Sequence, residues 1–188
     1  MDHSHFFPVL PYGFNDSFDM TGWYVSLSTK KDGILQLVKD HEINSYCSEI
    51  QCKGHHKDTF ISFPDKDSYI GTELPLLICY IKNISQKCSI SFEVTDKDNN
   101  ILIFHTSNAQ SIAKLTKNTC SFPLHLKIGW NKLCFDLNDL CQRVFDTKYA
   151  YANTIKVYAN CRIRNIYFTD RKYKDQDLPK SLKVFPNK

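Results

Sequence analysis

Apolar residues recur at every second position through most of this chain, in short runs separated by Asn, Asp, Ser, Gly and Lys. Alternation of that kind sends one set of side chains to a core and the other to solvent, the signature of half-buried β-strands. It predicts strands over residues 23–29, 34–38, 46–52, 59–63, 76–82, 89–95, 101–106, 121–127, 132–136 and 154–168. Many short strands with turn signals at short intervals indicate an all-β, antiparallel β-sandwich or jelly roll. One segment breaks the pattern. Leu137, Leu140, Cys141, Val144 and Phe145 fall at helical spacing behind Asp136 or Asn138 as N-cap, so one short helix is expected to pack on the sheet.

The last expected strand has an uneven phase. Counting in twos puts Ile155, Val157, Ala159, Cys161 and Ile163 on an inner face, and Lys156, Tyr158, Asn160, Arg162 and Arg164 on an outer one. The inner phase then jumps to Ile166 and Phe168, an odd step that places a bulge or bend near Arg164 and Asn165. The outer residues read as a basic, amide and aromatic stripe.

Length and composition, 188 residues with 42% hydrophobic, suit a single domain with a real core. The opening MDHSHFFPVLPY has no basic start or continuous apolar stretch, and the longest clean apolar run, 74–81, is far below membrane-spanning length. A soluble, intracellular protein is expected. The eight cysteines, at 47, 52, 79, 88, 120, 134, 141 and 161, sit mostly within apolar runs, which favours reduced thiols over a disulfide framework. Net charge is +4, and residues 171–188 hold six Lys or Arg against two Asp, so the whole excess lies in the C-terminal tail. Such a tail suits an acidic partner, whether a protein lattice, a membrane surface or nucleic acid; the plain alternative is a solvated tail.

Motifs for chemistry are weak. Asp96, Asp98 and Asn100 open like a calcium loop, but Ile101 stands where its glycine belongs, and a polar hairpin turn explains them better. Cys47, Cys52, His55 and His56 have a zinc-like composition, yet an offset of five along a strand puts the two thiols on opposite faces. His3 and His5 fall in an expected loose leader. No hydrolase, zinc-protease or phosphate-loop motif occurs and the six glycines are never clustered, so neither catalysis nor a cofactor is expected. Trp23, Trp130 and ten tyrosines offer an alternative, a glycan-binding face on a sandwich.

The stretches LPLLICYIKN (74–83), SNAQS (107–111), GWN (129–131) with FDLNDL (135–140), and YANCRIRNIYFTDRKYKDQDLP (158–179) resemble the cilia- and flagella-associated protein 20 family, as a divergent member or paralogue. The resemblance implies a compact sandwich shaped like carbohydrate-binding modules, acting as a non-enzymatic structural protein. It implies a place in the cytoplasm and cytoskeleton, at the cilium or flagellum axoneme and its basal body. The site it implies is the inner junction of doublet microtubules, linking the B-tubule to the A-tubule. The implied partners are tubulin and neighbours such as the Parkin co-regulated gene product, without membrane or nucleic acid. On this basis Lys156, Tyr158, Arg162, Arg164, Tyr167, Asp170 and Arg171 are surface candidates for partner binding, and Asn131, Asn160 and Asn165 are expected to satisfy backbone groups. The implied organisation is a leader over 1–20, a sandwich domain over 21–178 and a basic tail over 179–188. Glycan binding is the alternative function, with nucleic-acid binding behind it.

Overall fold

The computed structural model describes residues 5–10, 20–28, 32–65 and 68–184; Thr29 and His3 lie outside them, as do tail residues 185–188. In chain order the strands are β1 (Phe6–Leu10), β2 (Tyr24–Ser26), β3 (Gly33–Asp40), β4 (Ser45–Cys52), β5 (Phe60–Phe63), β6 (Leu76–Asn83) and β7 (Ser89–Asp96). There follow β8 (Ile101–Ser107), β9 (Lys114–Leu115), β10 (Thr119–Pro123), β11 (Gly129–Asp136), helix α1 (Leu137–Phe145), β12 (Tyr149–Tyr158) and β13 (Cys161–Thr169). They form the two sheets of a sandwich. One runs β11-β6-β13-β4-β3 with β1 also on β13, and the other runs β2-β5-β12-β7-β8-β10-β9. Pairing is antiparallel except between β8 and β10.

The helix starts where expected: the Asp136 carboxylate accepts from the Asp139 backbone N–H at 3.0 Å, and Leu137 and Cys141 are buried. Residues 96–100 form the β7–β8 turn. Asp96 accepts from the backbone N–H of Asp98 and Asn100, from the Asn100 amide and from the Thr147 hydroxyl. Its carboxylate therefore organises a turn. Strand β1 was not foreseen; instead of a loose leader at this point, Phe6, Phe7 and Pro8 pair with Thr169, Phe168 and Tyr167.

The largest correction concerns the expected strand over 154–168, which is two strands in different sheets. Ile155, Val157, Ala159, Cys161 and Ile163 do all face the core, each at most 1% exposed. The chain crosses from one sheet to the other at Ala159 and Asn160. The inner phase survives the crossing, but the outer one does not: Lys156 and Tyr158 face out from the seven-stranded sheet and Arg162 from the six-stranded one. The expected bulge is present, as a register shift between Ile163 and Asn165 against β6.

Between the sheets, Phe92 stacks on Phe104 and all five inner residues of the crossing strand lie in the main core. A second apolar cluster occupies the outside of the six-stranded sheet, where Leu76, Ile78, Tyr80 and Tyr167 are covered by Leu178, Leu182 and Val184. Part of the expected basic tail is thus a strap. Short 3-10 turns at Asp175–Asp177 and Lys180–Leu182 lay it down, and the Leu182 carbonyl accepts from the buried Asn165 amide at 2.8 Å. Cys47 belongs to this outer cluster and Cys52 to the main core, so the two thiols do lie on opposite faces of β4. All eight cysteines are free, seven buried and Cys134 exposed. No helix among the described residues is long and apolar enough to cross a membrane.

Because Leu182 is 1% exposed, Leu182→Ala should cost about 3 kcal/mol through lost burial and a residual cavity. Urea unfolding would read this as a lower midpoint with an unchanged slope; an unchanged midpoint would mean that the strap does not contribute to stability.

Candidate functional site on the six-stranded sheet

Outward side chains from adjacent strands of the six-stranded sheet meet around the Asp40 carboxylate. Arg162 donates from Nη1 to Asp40 at 2.8 Å and from Nε to Glu49 at 2.6 Å. Lys82 bridges Asp40 at 2.7 Å and Glu42 at 2.6 Å. The Trp130 indole N–H donates to Asp40 at 3.1 Å, and the Gln36 amide to Glu49 at 2.9 Å. Asp40's side chain is fully buried and Glu49's nearly so, whereas Arg162's is 28% exposed. Burial alone would raise the Asp40 carboxyl. The hydrogen bonds from Lys82, Trp130, Arg162 and the Glu42 backbone N–H more than offset it and hold the group well below the usual carboxylate range.

This cluster holds three carboxylates and two cations, so Arg162 adds no free positive charge to the surface. Arg164 and Tyr167 also depart from their expected place. Arg164, in the bulge, is 0% exposed, and Tyr167 is 2% exposed beneath the strap. The arginine pair expected on one outer face is therefore one ion-paired residue and one buried residue. The amide expectations fare better: Asn160 accepts from the Cys52 N–H, Asn131 bonds the backbone of Lys127 and Gly129, and Asn165 donates to Leu182.

Along the same face the structure brings Tyr167 and Arg171 together at a cavity of about 300 Å³ that Lys132, Cys134, Lys172 and Tyr173 also line. Arg171 and Lys172 are exposed. The Arg171 guanidinium lies 4.9 Å from the Tyr173 ring centre, and Lys132 Nζ lies 5.4 Å from that of Tyr80. Asp170 anchors this rim, bonded at 2.9 Å by both the His5 ring and the Tyr173 hydroxyl. Its carboxyl is low; burial opposes the shift, and the bonds from Tyr173 and His5 outweigh it.

Lys156 and Tyr158 lie on the other side of the sandwich. There Lys156 Nζ sits 4.6 Å from the Phe60 ring centre, with Tyr24, Tyr158 and His105 in the same aromatic row. Neither tryptophan contributes, since Trp23 is in the core and Trp130 serves Asp40. The pattern of single strands does not reveal Asp40, Glu49, Lys82, Lys132 or Lys172 as site residues. For Asp40, Glu49 and Lys82 the signal is pairwise: opposite charges at outward positions of strands that become neighbours only in the fold.

A family model described as the CFA20 domain matches residues 9–186, nearly the whole chain. The chain belongs to the CFA20 family. Among the relatives of this CFA20 protein, cilia- and flagella-associated protein 20 of Chlamydomonas reinhardtii is 36% identical over 155 residues, covering 82% of this chain and 81% of that one. The Paramecium tetraurelia protein of the same name is 36% identical over 157 residues, with 82% and 81% covered. The Caenorhabditis elegans one is 34% identical over 157 residues, with 82% and 76% covered. Among solved structures, an exo-beta-agarase aligns with TM-score 0.49 at 10% identity over 92% of this chain and 26% of its own. A family 11 carbohydrate-binding module from Clostridium thermocellum, in complex with a mixed-linked tetrasaccharide, aligns with TM-score 0.45 at 8% identity over 89% and 98%. Likeness at that level carries no ligand across to the CFA20 chain.

Two predictions follow from the ion-pair cluster. Arg162→Glu places a further carboxylate against Asp40 and Glu49 and should destabilise the protein by about 3 kcal/mol, the scale for breaking a largely buried pair; a melting point within a degree or so of wild type would refute the structural role. Because Asp40 is depressed in the fold, its contribution is complete above its ordinary value of 3.8 and declines as pH falls below that toward the folded value. Acid unfolding monitored by tryptophan fluorescence should therefore show a smaller loss of stability below that value in Asp40→Asn, from an already lower starting stability.

Proposed function

We propose that this protein is a non-enzymatic structural component of the cilium or flagellum, bound to axonemal doublet microtubules at the inner junction between B- and A-tubules. The observation that carries the reading is the CFA20 domain match over residues 9–186, with relatives named as cilia- and flagella-associated proteins. Tubulin and adjoining junction proteins are the proposed partners. The fold supports this role: the core between its sheets is mainly apolar and its strongest polar cluster is internally ion-paired, as suits a rigid building block more than a reaction centre. Contact with an acidic lattice is assigned to the exposed rim of Arg171, Lys172 and Lys132, with Asp170 and Tyr173 holding its shape. Each exposed charge contributes roughly 0.2–1 kcal/mol. Repetition along a lattice multiplies such modest contacts through effective concentration.

Glycan binding is the second reading, favoured by the row of Tyr24, Phe60, Tyr158 and His105 with Lys156 on the seven-stranded sheet. A glycan array with saturable binding lost in Tyr158→Ala would move it ahead.

The lattice reading is tested by co-sedimentation with isolated doublets and with singlet microtubules over a salt series. Wild type should favour doublets, and Arg171→Glu with Lys172→Glu should weaken binding about tenfold, equivalent to 1.4 kcal/mol, without changing the melting point. Undiminished binding by the double variant would remove the rim from the interface. Equal affinity for singlets would indicate general attraction to an acidic lattice instead of a junction role.

A further inference from the structure

At one end of the sandwich an open cup of about 540 Å³ is formed where the β4 exit, the β6–β7 connection, the end of β8 and the inter-sheet crossing meet. Asn83, Asn108 and Asn160 line it from three separate stretches of chain, and Lys53, His56 and Lys87 stand around them. The asparagine carbonyl ends are already used: Asn83 accepts from the Ser85 N–H at 2.9 Å, Asn108 from the Cys88 N–H at 2.9 Å and Asn160 from the Cys52 N–H at 2.6 Å. Their remaining capacity is to donate. Asn108 spends its amide on the Gln86 carbonyl, whereas among the described residues Nδ2 of Asn83 and of Asn160 has no partner. His56 Nε2 is buried and likewise has none. Among the described residues no carboxylate lines the cup; Asp32 flanks it behind Gly54, and Asp58 beside His55.

A concave surface with two unspent asparagine N–H donors and exposed lysines, its asparagine oxygens already occupied, is complementary to an anion. We propose that this cup binds the carboxylate side chains of an acidic peptide segment presented by a partner protein. The open mouth decides between a segment and a free small molecule. Small-ligand sites enclose most of their ligand's surface, whereas Lys53 and Lys87 are both exposed at this rim. A chain lying across the mouth can reach both lysines and place one carboxylate on the asparagine amides. The surroundings of His56 agree. After burial, the charges of His55, Lys57 and Lys87 hold its pKa below the ordinary value, which marks a locally positive field.

The proposal stands apart from the microtubule reading, because the cup is at the end of the sandwich and shares no residue with the Arg171 rim. The test uses the full purified chain and a fluorescein-labelled decaglutamate peptide, followed by anisotropy at low and physiological salt, with decaglutamine and glutarate as comparison probes. Saturable decaglutamate binding is expected, weakened about tenfold in Lys53→Glu with Lys87→Glu, and unchanged in Arg171→Glu with Lys172→Glu. Since all four residues are exposed, equal melting points would establish that both variants are folded. Absence of saturable binding, equal binding of decaglutamine, or insensitivity to the Lys53 and Lys87 reversals would overturn the proposal. So would competition by glutarate at matched carboxylate concentration, which would assign the cup to free anions.

Discussion

The crossing at Ala159 and Asn160 is the constraint on which the rest of this sandwich depends. Two residues carry the chain from the middle of one sheet to the middle of the other while the inward phase continues unbroken from Ile155 to Ile163. That is possible only if the backbone groups at the corner find partners as they leave the ladders, because unpaired buried amides cost about 1–3 kcal/mol each. They do. The Ala159 N–H donates to the Thr59 carbonyl and the Asn160 N–H to Lys87, both at 2.9 Å, while the Asn160 side chain accepts from Cys52. Residues from β4, from the approach to β5 and from the approach to β7 are thus tied to one corner, which fixes both sheets relative to each other.

The same economy governs charge. An arginine on the outside of a sheet is an interface candidate only if its guanidinium is free to exchange water for a partner. Arg162 is already committed to Asp40 and Glu49, and a partner's carboxylate would have to displace two near-optimal bonds inside a nearly dry cluster. Replacing one such ion pair by another gains little, whereas breaking it leaves the nearly buried Glu49 without its cation and Asp40 with Lys82 alone. At the rim the obstacle is smaller: Arg171 leans on the Tyr173 ring, and Lys132 has only an exposed 3.5 Å pair with Asp175 to give up. Position relative to neighbouring strands, and not residue type, separates structural cations from available ones.

How far the sequence reveals this follows from which interactions are local. Alternation exposes strands, and from Ile155 to Ile163 it identified the core phase, because burial of one face is a property of the strand itself. The helix was readable from Leu137 to Phe145 and its Asp136 cap, and the bulge at Arg164 from the mismatch between Ile163 and Ile166. What escaped was non-local. A strand that changes sheets keeps its inner period, so nothing in 154–168 signals that Lys156 and Arg162 end up on opposite outer faces. The strap was hidden for a related reason: its Leu178, Leu182 and Val184 are spaced among lysines and prolines with no helical or strand period, and only the outer apolar face of β6 gives them a place. Strand β1 was masked by Pro8 within it and by pairing to a strand over 150 residues away.

The proposed connecting role calls for two attachment surfaces held at a fixed separation, and a sandwich pinned at one corner supplies that geometry. The Arg171 rim lies on the outside of the six-stranded sheet, backed by the strap, whereas the asparagine cup opens at the end where the sheets are joined. The corner residue Asn160 belongs to both the pin and the cup: its carbonyl holds Cys52 while its amide lines the opening. Any ligand in the cup would therefore bear on the element that fixes one sheet against the other. Strand β13 runs from the tied corner to the segment that carries the proposed rim, so the two proposed surfaces are joined through a packed strand instead of a flexible linker, and the spacing between them is set by the fold itself.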